Sequence, residues 1–266
     1  ILLHTAALIS IAEKMPPRLY DVNVNGVKNV LALCRETGVR RLVHVSSVHA
    51  IPELPAGQVM REPAAFSAER VAGGYAKTKA EAAQAVLDAA AAGLDACVVF
   101  PSGILGPYDS GGNHLIQMMQ ACLQKKLPAC VAGGYDFVDV RDVAQGCLAA
   151  AARGARGEGY ILSGHVLSIR ELLAMTARCG GVPPVGQIPL WLAQAAVPLI
   201  EADARLHGRR PLYTRYSLRT LGANCLFSHE KAARALGYTV RDPAVTVADT
   251  VAWLRTGALP GEAAPR

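Results

Sequence analysis

Two side chains that could perform acid–base chemistry, Tyr75 and Lys79, stand close together at the head of an Ala-rich run. That run, from Ala80 to Ala92, favours a helix. Because an α-helix turns once every ~3.6 residues, the two side chains would lie on one helix face, a turn apart. An ammonium group beside a phenol stabilises the phenolate, so the tyrosine could act as a general acid–base. The alternative is that the two residues merely share a helix face.

A pair of hydroxyls ends the apolar run Arg40–Ser47, which reads as a buried strand. Ser47 would then project at the carboxyl edge of a sheet, where open α/β folds bind ligands. It could hydrogen-bond a substrate carbonyl and stabilise negative charge on its oxygen. A turn or N-cap serine would look the same in sequence. His49 could add acid–base chemistry, but the pattern favours a loop histidine near solvent.

Two further segments have weaker signals. Asn23 lies in a helical pattern, where its amide could bridge backbone groups and hold water, although a solvated helix amide is the more common case. The segment Phe100–Pro107 follows another apolar run and could wrap a flat ring, or could simply be a turn.

The elements that must position these residues alternate along the chain. Apolar runs at Ile1–His4, Arg40–Ser47 and Gly93–Phe100 are separated by helical patterns, and the remainder from Pro189 to Gly257 reads as mostly helical. This rhythm predicts an α/β fold with βαβ units on a parallel sheet.

Composition excludes several classes of protein. The chain has 266 residues, 52% hydrophobic and 18% charged, which indicates a globular core-forming protein and not a disordered one. The net charge of +6 is mild, and the basic excess between Arg205 and Arg241 lacks interleaved aromatics, so we expect a solvated helical face and no nucleic-acid partner. Seven scattered cysteines without a CxxC pair, and dispersed histidines, predict reduced thiols, no metal site and a cytoplasmic location. No apolar run reaches transmembrane length, so no membrane association is predicted.

Taken together, the motifs resemble the extended short-chain dehydrogenase/reductases, the NAD-dependent epimerase/dehydratase family. The resemblance reaches to about Arg255 and looks most like the dihydroflavonol-reductase and 3β-hydroxysteroid-dehydrogenase side. It rests on an ordered set of segments: Thr5-Ala-Ala7, Asn23-Val-Asn-Gly26, Val45-Ser-Ser47, Tyr75-x-x-x-Lys79, Pro101-Ser-Gly-Ile-Leu-Gly-Pro107 and Asp136-Phe-Val-Asp-Val-Arg-Asp142.

The resemblance implies a Rossmann-like doubly wound parallel sheet that holds NAD or NADP. It implies a cofactor-binding domain over residues 1–164 and a smaller, mostly helical substrate subdomain over 165–266, interleaved with the first. It further implies a small-molecule substrate and a possible homodimer. The implied catalytic residues are Ser47, Tyr75, Lys79 and Asn23. The implied cofactor contacts are Thr5, Ala6, Ala7, Leu8, Asn23, Tyr75, Lys79, Pro101, Ser102, Gly103 and Ile104.

The largest departure from the family pattern is the lack of a Gly-x-x-Gly-x-x-Gly turn for the pyrophosphate in the 266 residues. The sheet would lack its first strands, and the strand Ile1–His4 would present an apolar edge. We therefore expect the chain to be part of a longer reading frame. The residue that would select NAD or NADP is absent with those strands.

Two smaller departures concern the substrate. Nucleotide-sugar members carry an arginine where this chain has Tyr135, and a phenol cannot form the bidentate contact that a diphosphate favours. Val48-His49 follows Ser47 where sugar dehydratases carry Asp-Glu, which argues against a dehydratase. The sequence thus favours an oxidoreductase that interconverts a carbonyl and a secondary alcohol on a small, fairly apolar substrate. An NAD-dependent sugar epimerase and a non-catalytic cofactor-sensing or assembly protein stay open as alternatives.

Overall fold

The computed structural model describes residues 1–10, 15–109, 113–195 and 215–259. This part of the chain forms two compact units, each assembled from separate segments. The first unit contains the described residues of Ile1–Ser102, Arg141–Gly164 and Leu226–Val240. The second contains those of Gly103–Val140, His165–Cys225 and Arg241–Arg266. The expected division into a cofactor-binding domain over residues 1–164 and an interleaved substrate subdomain over 165–266 stays a prediction.

A four-stranded parallel sheet forms the centre of the first unit, in the order β1-β2-β3-β7. Its strands are β1 (Leu2–His4), β2 (Leu42–Val45), β3 (Ala96–Pro101) and β7 (Gly159–Leu162). β3 and β7 are buried along their whole length, which is why they read as continuous apolar runs and not as alternating patterns. The carboxyl ends of these strands therefore meet at one edge.

The helices of the first unit follow the predicted rhythm. Helix α1 (Pro17–Tyr20) leads through a π-helical segment, Asp21–Asn25, into α2 (Gly26–Glu36), so the chain is helical throughout residues 17–36. Helix α3 (Gly74–Ala91) packs against β3, against the 3-10 turn Val48–Ala50 and against a second such turn, Ala68–Arg70. The unit also contains α5 (Val140–Arg153) and α8 (Glu230–Leu236), of which α8 packs on β7.

The second unit combines short strands with helices. Strands β4 (Gly103–Leu105), β6 (Gly134–Asp139) and β8 (His165–Ser168) form one sheet, and β5 (Ala129–Val131) pairs with β9 (Gly186–Ile188) in another. The helices are α4 (His114–Leu123), α6 (Ile169–Gly180), α7 (Arg215–Leu221) and α9 (Pro243–Thr256). Its core contains apolar side chains from α4, α6, α9 and the strands β4, β5 and β6, among them Met119, Leu172 and Val247.

The predicted α/β fold with a parallel sheet is confirmed. The sequence reasoning missed the five short strands of the second unit. β6 contains Asp136 and Asp139, both buried, so its sequence does not show the apolar run that marks the strands of the first unit. No helix in the described residues is long and apolar enough to cross a membrane.

Candidate active site

The start of α3 buries two groups that could perform acid–base chemistry. Tyr75 and Lys79 both lie in this helix, as their spacing predicts, and their residues are only 9% and 3% exposed. Gly73 precedes the helix with φ of 96°, a conformation that side-chain-bearing residues rarely adopt, and this lets the chain turn into α3 at Gly74. Tyr75 is thus presented in the first turn of a buried helix.

Lys79 is held against the end of β2. Its Nζ donates a hydrogen bond to the carbonyl oxygen of Val45 at 3.0 Å, and Ser46 Oγ donates to the carbonyl oxygen of Lys79 at 3.3 Å. Burial lowers the pKa of Lys79 to about 8, because the charged form loses its hydration. The ammonium is therefore still the main form at neutral pH, but a proton can leave it more easily than from a solvated lysine.

Ser47 and His49 occupy the short turn that follows β2, next to α3. Ser47 Oγ accepts a hydrogen bond from the backbone N–H of His49 at 3.3 Å, so it is the N-cap that the sequence left open. The accepting role leaves the Ser47 hydroxyl hydrogen for donation to another group. Both readings of Ser47, the cap and the carbonyl-binding hydroxyl, are compatible in this geometry.

His49 differs from the expected solvent-facing loop histidine. Its ring is half-buried and meets the Tyr75 ring edge to face, with centroids 5.9 Å apart. Burial lowers the pKa of His49 to about 4, so the imidazole is neutral at neutral pH. The turn after Ser47 therefore places an uncharged ring, and not a solvated cation, against Tyr75.

Asn23 lies inside the π-helical segment and is 2% exposed. Its Oδ1 accepts from the backbone N–H of Leu8 at 2.8 Å, and its Nδ2 donates to the Leu8 carbonyl oxygen at 2.9 Å and to Thr78 Oγ1 at 3.1 Å. The wide turn of a π-helix is a frequent feature of functional sites. The predicted bridging of backbone groups is thus present, and the amide is not solvated.

Two histidines that the sequence reasoning did not select lie beside Lys79. His4 on β1 and His44 on β2 are register partners, their rings stack at 5.2 Å, and their Nδ1 atoms are 3.0 Å apart. Burial and then the charge of Lys79 lower the pKa of both histidines. Nε2 of His44 is buried with no hydrogen-bond partner among the described residues. A signal existed: each histidine lies near the carboxyl end of a predicted parallel strand, and such ends meet.

The remaining predicted positions fall on two segments. Thr5, Ala6, Ala7 and Leu8 form the loop after β1, and Leu8 is the residue fixed by Asn23. Pro101 ends β3 in the first unit, and Ser102 donates its backbone N–H to Leu162 at 3.3 Å. Ser102 Oγ is buried without a hydrogen-bond partner among the described residues. Gly103 and Ile104 belong to β4 of the second unit.

Comparisons with known proteins find a matching family model and similar relatives. The model of the NAD dependent epimerase/dehydratase family matches residues 1–163. Sterol demethylase protein B of Methylococcus capsulatus is 33% identical over 96% of this chain and 78% of that protein. A 4-hydroxy-2-methyl-3-oxo-4-farnesyl-3,4-dihydroquinoline-1-oxide ketoreductase of Stigmatella aurantiaca is 34% identical over 91% of this chain and 73% of that protein.

A solved structure is similar along the same length. The crystal structure of gox2253 has a TM-score of 0.77 and 32% sequence identity, and covers 96% of this chain and 78% of that chain. The family match and these identities identify an NAD(P)-dependent oxidoreductase or epimerase of the extended short-chain dehydrogenase/reductase type. The chain belongs to the NAD dependent epimerase/dehydratase family.

Proposed function

We propose that this protein interconverts a carbonyl group and a secondary alcohol on a small, fairly apolar substrate, with NAD or NADP as cofactor and Tyr75 as the acid–base. One observation carries the proposal. Lys79 is buried, lies one turn after Tyr75, and is hydrogen-bonded to the strand end that leads into Ser47. An ammonium in that position supports the phenolate form of a neighbouring tyrosine.

The residues around this pair fit a nicotinamide cofactor. Ser102 Oγ offers a buried polar atom without a partner among the described residues, and the Lys79 ammonium offers hydrogen-bond donors. The loop Thr5–Leu8, Pro101, Ser102 and Asn23 would hold the cofactor, together with Tyr75 and Lys79. When bound, the cofactor supplies or accepts the hydride.

In the reductive direction, Tyr75 gives its hydroxyl proton to the substrate oxygen as that oxygen gains negative charge. Ser47 donates its hydroxyl hydrogen to the same oxygen and stabilises the developing charge. Lys79 stabilises the phenolate that remains on Tyr75. In the oxidative direction each proton moves the opposite way, and Tyr75 acts as the base.

An apolar substrate is favoured by a difference in residue type, because this chain has Tyr135 where nucleotide-sugar members carry an arginine. This residue lies on β6, where its ring meets the Phe137 ring edge to face at 6.1 Å, and it packs against the apolar core of the second unit. A phenol in that setting offers no charge to a diphosphate. The names of the two relatives, a sterol demethylase protein and a ketoreductase of a farnesyl-bearing compound, also favour an apolar ketone or alcohol.

The test is Tyr75→Phe, assayed with NADH and NADPH against a panel of aliphatic, aryl and steroid ketones. We expect turnover to fall by roughly 100- to 10,000-fold, the usual contribution of a general acid–base, while cofactor affinity stays unchanged. Turnover that survives the substitution would overturn the assignment. A cofactor that stays bound through purification and gel filtration, with no net oxidation of substrate, would favour the epimerase instead.

A further inference from the structure

A buried chain of hydrogen bonds joins the loop after β1 to the start of α3. Asn23 is bonded to both backbone groups of Leu8 at 2.8 and 2.9 Å, and its Nδ2 also donates to Thr78 Oγ1 at 3.1 Å. Thr78 Oγ1 in turn donates to the carbonyl oxygen of Tyr75 at 2.8 Å. The three hydrogen bonds of Asn23 therefore connect Leu8 to Thr78, which are 70 residues apart in sequence.

Thr78 lies between the two residues on which the proposed chemistry depends. It is 1% exposed and sits in α3 after Tyr75 and directly before Lys79. A helical threonine often donates to a carbonyl of the preceding turn, as Thr176 of α6 does to Leu172 at 2.9 Å. Thr78 differs because its Oγ1 also accepts a hydrogen bond from the side-chain amide of Asn23, which lies in another helical segment. The hydroxyl therefore accepts from Asn23 and donates to the Tyr75 carbonyl oxygen.

The three partners use complementary atoms. Asn23 has an amide with two hydrogens, and these go to the Leu8 carbonyl and to Thr78. The Thr78 hydroxyl has one hydrogen, and it goes to the peptide of Tyr75. If the hydroxyl were removed, a buried Asn23 hydrogen and the Tyr75 carbonyl would both lose a partner, and the peptide that carries the catalytic phenol would lose its link to the loop.

We propose that Thr78 is a positioning residue that couples the loop Thr5–Leu8 to the placement of Tyr75. The proposal rests on the proposed function, since it takes the loop as a cofactor contact and Tyr75 as the acid–base. Thr78 touches neither substrate nor reacting atoms. It acts through Asn23 on one side and the Tyr75 peptide on the other, so that the loop and the catalytic helix are ordered together.

A set of variants separates this role from a general packing role. Thr78→Val keeps the shape and removes the hydroxyl, whereas Thr78→Ser keeps the hydroxyl and removes a methyl group. Thr176→Val is the matched control, because Thr176 is also fully buried in a helix and bonded to that helix's own backbone. Thr78→Ala, which cannot clash, carries the same expectation as Thr78→Val and replaces it should the valine variant not fold.

The first measurement is hydrogen–deuterium exchange, which requires no substrate. We expect Thr78→Val to increase exchange in peptides covering both residues 5–10 and residues 73–80, and Thr78→Ser and Thr176→Val to leave these peptides unchanged. The second measurement is steady-state kinetics with the best ketone from the panel and NADPH or NADH. We expect about a tenfold fall in kcat for Thr78→Val with little change in the KM for the ketone, and rescue to within about threefold in Thr78→Ser, as for loss of a positioning contact.

Each outcome decides the proposal. Faster exchange at residues 73–80 alone, or equal kcat values for the valine and serine variants, would show that Thr78 does not couple the loop to Tyr75. The Tyr75→Phe variant is measured in parallel. If that variant keeps its turnover, the proposed function is wrong; if it is inactive while Thr78→Val behaves as the wild type, only the coupling role is wrong.

Discussion

Helices α3 and α6 are both partly buried, yet they differ in how their ends are capped and in which side chains they bury. α6 has a complete capping box, in which Ser168 Oγ accepts from the Glu171 N–H at 3.1 Å and the Glu171 carboxylate accepts from the Ser168 N–H at 2.8 Å. It ends at Gly181 in the left-handed conformation, with φ of 59°. α3 follows Gly73, which provides no side-chain cap, and it buries a lysine in its second turn.

The difference indicates what each helix is selected for. The side chains that α6 buries recur at helical spacing and pack into the apolar core of the second unit, so its sequence and its packing agree. α3 buries Lys79, Thr78 and Tyr75 next to Asn23, His4 and His44, all polar groups that burial makes costly. We infer that the buried polar groups at the start of α3 lower the free energy of unfolding and are kept for their chemistry, as is common in active sites.

The strongest test of this contrast is Lys79→Met. We expect turnover to fall by at least about 100-fold, because the phenolate of Tyr75 loses its stabilising charge. We also expect the variant to be more stable at pH 7, by up to about 3 kcal/mol, since the pKa of Lys79 falls from 10.5 to about 8 on burial.

The pH dependence of that gain follows from the direction of the shift. Below about pH 8 both the folded and the unfolded protein hold the Lys79 proton, so the full penalty of burying the charge applies. Between about 8 and 10.5 only the unfolded protein holds it, so wild-type stability rises with pH and the advantage of Lys79→Met shrinks. Urea unfolding at pH 7, 9 and 10 measures this; a variant less stable than the wild type at pH 7 would contradict it.

A second test concerns the histidine pair, and His44→Leu is the variant. The pKa of His44 lies well below its ordinary 6.5 because of burial, the charge of Lys79 and the neighbouring His4. Below pH 6.5 His44 becomes protonated in the unfolded protein but stays neutral in the folded protein, so wild-type stability falls as the pH falls. We expect His44→Leu to flatten this acid limb by up to about 1.4 kcal/mol per pH unit.

The measurement for the histidine pair is urea unfolding between pH 5 and pH 7. His49→Leu is a useful comparison, because the pKa of His49 is also lowered, to about 4, but this ring packs against Tyr75 and not against His4. Identical acid limbs in His44→Leu and the wild type would mean that His44 is not held neutral by its surroundings.

The smallest expected effect is on the other helix. Ser168→Ala removes the cap of α6, and we expect a loss of about 1 kcal/mol in the free energy of unfolding. Turnover and cofactor affinity should not change, because the capping box bonds Ser168 and Glu171 to each other and contains no residue to which the chemistry is assigned. A Ser168→Ala variant that is as stable as the wild type but turns over more slowly would show that α6 takes part in the site. The two helices would then no longer differ in function.

Much of the fold and part of the site follow from local sequence. Continuous apolar runs predicted the strands β2 and β3, because parallel strands buried on both faces need no polar alternation. The spacing of Tyr75 and Lys79 predicted their shared helix. The short strands β4, β5, β8 and β9 were not predicted, because three or four residues are too few to show a distinctive pattern. β6 was not predicted because two buried aspartates interrupt its apolar residues. The catalytic and cofactor-binding roles assigned to Ser47, Asn23 and the two loops stay predictions.

By itself, then, the sequence determined the alternation of strands and helices, the family, and the placement of Tyr75 and Lys79 in one helix, because each of these depends on residue types at fixed short spacing. Only the tertiary structure decided which polar groups meet: His4 with His44, Asn23 with Leu8 and Thr78, and His49 with Tyr75. Those contacts depend on strand register and on the wide turn at Asp21–Asn25, which bring distant segments together. Local patterns do not encode such pairings, and the environment of Tyr75 and Lys79 is made of them.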